Sequence, residues 1–230
     1  MQRLLICSIL GLPALCGSVV LAAGGGGMSA PSSPSIESRA PSPAEIARSA
    51  YNDGVRAVKK ADDYAASATT ATDAGKKEKL TGKSAEALVR AFGRFSDAVE
   101  ADSAMYQAWN YLGYIHRKQG DYAAALEAYD KALSLNATYG EAIEYRGVAY
   151  LALKRIDDAK SAYLTLFASN RALSNKLLLA MQEWLVARHA AADGVDPKAI
   201  DEFSKWVDER GSIAKQTASL TRAGAAASWR

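Results

Sequence analysis

The chain has 230 residues, 49% hydrophobic and 23% charged, with a formal net charge of +3. That is enough apolar material for one core. A charge this close to neutral argues against an electrostatic nucleic-acid binder, which needs a clustered positive surface.

Residues 1–23 read as a secretory signal peptide. Arg3 precedes an apolar run from Leu4, interrupted by Gly11, Pro13 and Gly17, and small residues close it at Ala22-Ala23. The run is about long enough to cross a bilayer, roughly 20 apolar residues, so an uncleaved anchor is the alternative. Pro13 and the small-residue exit favour cleavage after Ala22 or Ala23. Cys7 and Cys16 both lie here. Bulky Leu15 before Cys16 suits lipidation poorly, and cleavage would leave a chain without disulfides or thiolate metal sites. The expected location is therefore periplasmic or secreted. Residues 24–43, four glycines followed by Ser, Pro and Ala, cannot bury a core and read as a linker.

Residues 44–210 are expected to fold. A first helix should run from Pro43 to about Ala66 with Tyr51 and Gly54, and a second from about Lys79 to Ala101 with Ala91, Phe95 and Ala98. Between them, residues 68–75 read as an insertion loop. Gly54 and Ala91 are 37 positions apart, against 12 from Gly113 to Ala125, so the unit holds an insertion of 25 residues, part of which should lengthen both helices.

Self-similarity at 34 residues then becomes plain: Gly113 and Gly147, Ala125 and Ala159, Tyr129 and Tyr163, Asn136 and Asn170. Phe95 and Asp102 stand one step earlier. Trp109, Leu112, Gly113 and His116 recur at helical spacing. Gly120 should end a helix, and Asp121 should cap the next. The equivalent turn at Lys154-Arg155 lacks both, with Asp157 left to cap later. Residues 174–209, with Met181, Trp184, Phe203 and Trp206, read as a degenerate last pair, broken at Asp193-Gly194. Residues 211–230 read as a flexible tail.

The stretch Tyr106 to Ala132, with Trp109, Leu112, Gly113, Gly120, Ala125 and Tyr129, resembles the tetratricopeptide repeat family. Residues 106–139 and 140–173 are the two clear repeats, although the second has Ile143 and Arg146 where the family has Trp and Leu. The resemblance implies an all-α solenoid of antiparallel helix pairs, three to four repeats long, with irregular outer units. It also implies a non-catalytic scaffold that holds a protein or peptide in a concave groove. Carried over residue by residue, that groove is lined by Gln107, Asn110, Tyr114, Arg117 and Lys118, then Glu141, Glu144, Val148 and Leu151, with Tyr51 and Val55 upstream. One subgroup grips a C-terminal carboxylate with Lys and Asn at fixed sites. Asn110 and Tyr114 hold those sites here, so that function is not implied.

No nucleophile–base pair, phosphate loop or histidine pair at helical spacing is present, and no cofactor, metal or enzymatic activity is expected. His116 holds a packing position and His189 a helix end. Asp62-Asp63 and Asp157-Asp158 read as solvated surface. The expected partner is a protein or peptide of the bacterial cell envelope, with no nucleic acid and no membrane insertion of the mature domain. Self-association into a structural assembly is the alternative.

Overall fold

In the computed structural model, residues 39–226 are described, with side chains through residue 217. The expected signal at 1–23 and most of the linker lie outside them. Eight helices fall within the compact unit Pro41–Arg230. They are α1 Pro43–Thr70, α2 Ala74–Ala101, α3 Tyr106–Lys118, α4 Tyr122–Leu135, α5 Gly140–Ala152, α6 Ile156–Ser169, α7 Arg171–Ala190 and α8 Pro197–Ala226. Each odd-numbered helix pairs with the next. Each pair then stacks on its successor, α2 on α3, α4 on α5 and α6 on α7, while α5 also packs directly on α3 and α7. The arrangement is an antiparallel helix-pair solenoid.

Local chemistry sets the boundaries. Ser42 begins α1 in a capping box: its Oγ accepts from the Glu45 N–H, and Glu45 accepts from the Ser42 N–H at 2.7 Å. Asp73 caps α2 and Asp121 caps α4, accepting from the N–H of Lys76 at 2.6 Å and of Ala124 at 3.1 Å. The 34-residue period is a geometric period too. Asp102, Asn136 and Asn170 end α2, α4 and α6 with φ of −143°, −144° and −148°. Each side chain then accepts a backbone N–H a few residues on, from Ala104, Thr138 and Leu173. The Trp109 indole fixes the first of these turns by donating to Ser103 O at 3.0 Å.

Within the first two pairs one large side chain meets a glycine. A Cβ on Gly113 would stand 2.5 Å from the Tyr129 ring, and one on Gly54 would stand 2.7 Å from Phe95. At Gly147 the intruding side chain is Leu177 of α7, at 2.7 Å, so there the tight contact is to the next pair. Phe95, Tyr129, Tyr163 and Phe203 are fully buried, each contributing about 2–3 kcal/mol of apolar burial.

Three expectations need correcting. The insertion lengthens both helices, as expected, but its loop is shorter than residues 68–75: α1 and α2 each run 28 residues, and only Ala71–Asp73 separates them. The extra length is paired along alanines (Ala61, Ala68 and Ala87 are buried) and tied by the Ser84 hydroxyl donating to Ala61 O at 2.8 Å. The Lys154 turn is as tight as the Gly120 turn. Lys154 takes the left-handed conformation, φ 62°, that Gly120 takes at 83°, and Asp157 does not cap α6. Its carboxylate pairs with Lys160 instead. Lys154 is also held by Asp193, which Arg188 contacts at 2.5 Å, so the α5–α6 and α7–α8 turns are joined. Finally, residues 211–226, read as part of a tail, continue α8 to Ala226. A single helical glycine costs only about 1 kcal/mol, too little to stop a helix rich in alanine.

Candidate binding groove

The nine residues expected to line a groove lie on α3 and α5, at two depths. Lys118 and Glu141 are exposed, and Gln107, Arg117 and Val148 are half-buried. Asn110 and Leu151 are 2% exposed, and Tyr114 and Glu144 are 8% exposed. Those four are therefore packing groups rather than free ligand contacts. Odd-numbered helices touch one another directly, and the residues at their seams are covered by the neighbouring helix.

The seam between α1 and α3 is polar. The Tyr114 hydroxyl donates to Asp62 Oδ1 at 2.6 Å, and Lys118 Nζ lies 3.7 Å from the same carboxylate. Asp62 therefore belongs to the groove wall and not to the solvated surface its neighbour Asp63 occupies. Burial pushes the Tyr114 phenol well above the ordinary tyrosine range, and the bonded Asp62 carboxylate adds to the shift. Arg117 sits between two rings, 5.3 Å from Tyr114 and 5.4 Å from Tyr145, and Lys118 lies 5.4 Å over Tyr114. Burial also raises the Glu144 carboxyl, against the pull of Arg117 and Lys176.

A second set of residues lies at the starts of these helices. Tyr51 of α1 packs edge-on to Tyr111 of α3 with ring centres 5.8 Å apart, and Tyr106 meets Tyr139 at 4.8 Å. Phe95 stands behind, stacked on Tyr111 at 4.6 Å. All four tyrosines are half-buried. Sequence reading placed only Tyr51 here. The available signal was the recurrence of tyrosine at Tyr106 and Tyr139, each at the start of a pairing helix.

Beside the groove, a cleft of about 350 Å³ opens between α1 and α2, lined by Ala65, Ala68, Thr69, Thr81 and Lys118 among others. Among the described residues, no three His, Cys, Asp or Glu side chains are placed to hold a metal ion, and no helix is long and apolar enough to cross a membrane. His116 is half-buried, edge-on to Phe92 at 5.3 Å.

Residues 106–139 match the tetratricopeptide repeat family. Among solved structures, the chain is similar to the first TPR of Spaghetti (RPAP3) bound to the HSP90 peptide SRMEEVD. The identity is 20%, over 58% of this chain and 94% of that one, with a TM-score of 0.39. It is similar also to the MamA protein, 18% identical over 75% of this chain and 95% of that one, again with a TM-score of 0.39. No curated protein matches it by sequence.

Proposed function

We propose, from the premise that the chain carries a tetratricopeptide repeat at residues 106–139 within a stack of helix pairs, that it is a non-catalytic interaction module of the bacterial cell envelope. It holds an extended or helical peptide against the inward faces of α3 and α5. The observation that carries this reading is the composition of that face. Half-buried tyrosines, Arg117 and Val148 lie beside exposed Lys118 and Glu141, which suits a ligand that brings both apolar contact and charge. The Arg3-led apolar segment at residues 1–23 supports export.

The test is selection from a displayed peptide library with the full chain, beside a Lys118→Glu, Val148→Asp double variant shown to be folded by circular dichroism. Peptides that bind the wild type and are lost by the variant are the expected result. Selected peptides that bind both forms equally would overturn the groove reading. A chain that selects nothing and sediments as an oligomer would favour the structural-assembly alternative. For export, the N-terminus of the protein from fractionated cells should begin at Ala23 or Gly24, and an intact Met1 would refute cleavage.

A further inference from the structure

Tyr51, Tyr106, Tyr111 and Tyr139 come from three separate parts of the chain, yet they meet at one end of the groove. Two edge-on ring contacts, Tyr51–Tyr111 and Tyr106–Tyr139, fix their orientation, and Phe95 backs the first pair. Glu141, two residues after Tyr139, is exposed in the first turn of α5.

Every group in this set favours a cation. Ring faces are the negative side of an aromatic quadrupole, and a carboxylate accepts from ammonium or guanidinium donors. The local field agrees. Tyr51, Tyr111 and Tyr139 are raised above the ordinary tyrosine range, first by burial and then by nearby negative groups, Glu141 acting on all three. One or two turns along, Tyr114, Tyr129 and Tyr145 all feel Arg117. An anion would be a poor occupant, because Glu141 already answers the positive N-terminal end of α5.

We propose that Tyr51, Tyr106, Tyr111, Tyr139 and Glu141 form a cup that takes a cationic side chain, arginine or lysine, of a peptide held in the groove. The proposal rests on the groove reading above and adds a polarity to it. The basic residue of the ligand sits at the starts of α3 and α5, and its acidic or polar part lies toward Arg117 and Lys118.

The test uses the full chain with ¹³C-labelled tyrosine rings, titrated by NMR with the capped pentapeptide Gly-Ser-Arg-Ser-Gly and with the same peptide carrying citrulline for arginine. The arginine peptide is expected to shift the ring signals of Tyr106, Tyr111 and Tyr139 and to bind about ten-fold more tightly than its neutral twin. Glu141→Gln, an exposed change that leaves the fold alone, should weaken the arginine peptide about five-fold, and Tyr139→Leu should weaken it by a similar factor. Equal binding of the two peptides, unmoved tyrosine signals, or full binding by Glu141→Gln would overturn the cup. Library-selected peptides that still depend on Lys118 and Val148 would then leave the groove reading standing. Loss of that dependence is the separate result that removes the groove reading itself.

Discussion

A Cβ on Gly113 would come within 2.5 Å of the Tyr129 ring, which is fully buried and cannot retreat. Gly113→Ala should therefore cost about 1–3 kcal/mol through overpacking. Gly93 lies in α2 with open space around its missing Cβ, so Gly93→Ala should instead stabilise by about 0.5–1 kcal/mol. Urea denaturation of the two variants checks the opposite signs. Gly113 was legible because a glycine at a fixed offset from a recurrent aromatic has a packing reason. Glu144 was not legible, because periodicity puts it on an inward face without saying that α3 and α7 cover it. Burial holds its folded pKa above the ordinary glutamate value of 4.5. Between those two pKa values the folded state binds more protons than the unfolded one, so this group lowers stability as pH rises through that window, and the deficit persists above it. Its facing charges are Arg117, Lys176 and Glu141, and their net effect does not restore the usual value. Glu144→Gln should accordingly raise Tm at pH 7, and the gain should vanish below pH 4.5. A gain that is the same at both pH values would mean that the effect is not ionisation.

At the scale of elements, boundaries follow caps, and the caps differ in kind between otherwise equivalent turns. Asp121 accepts from the Ala124 N–H, and its removal leaves a helix N-terminus unsatisfied. Asp121→Ala should cost about 1 kcal/mol. Asp157 stands 96% exposed in the first turn of α6 and bonds only Lys160, so Asp157→Ala should cost no more than about 0.5 kcal/mol. Thermal denaturation of the pair measures the difference, and equal losses would show that helix-dipole charge matters more than the capping bond. The same comparison shows what the sequence could carry. Gly120-Asp121 announces a turn by residue type, whereas Lys154 reaches the same left-handed backbone because the flanking helices and Asp193 hold it there. The loop at the tip of the insertion after Gly54 is shorter than its sequence suggests, for a related reason. Thr69, Thr70, Thr72, Asp73 and Gly75 are all poor helix formers, yet only Ala71–Asp73 leaves the helix. Alanines along the facing sides let α1 and α2 approach and bury each other, and this tertiary gain outweighs weak propensity at the tip.

For the whole stack, the decisive question is what closes its C-terminal end. A solenoid exposes apolar surface at its last repeat unless a final helix covers it. Here α8 does so almost entirely through α7. Ile200, Phe203 and Val207 are buried, Trp184 lies edge-on to Phe203 at 5.8 Å, and Trp206 reaches Tyr163 of α6 at 5.3 Å. Trp206 is thus half-buried, packed within the chain against Tyr163 and Phe203. Phe203→Ala should cost about 3–5 kcal/mol, a large part of a typical domain's stability. Because α8 docks mainly on α7, the loss should fall on its docking and uncover Trp184 of α7 and Tyr163 of α6. Phe95→Ala removes an equally buried ring from α2, between its partners α1 and α3. Its cost should be similar, but no terminal face is opened. Sedimentation velocity at matched concentrations should therefore show a higher mass for Phe203→Ala than for the wild type, and no such rise for Phe95→Ala. A rise in both would point to general unfolding as the cause of association. A rise in neither, with stability lowered, would mean that α8 shields no adhesive surface, and self-association through this end of the stack would then have no structural basis.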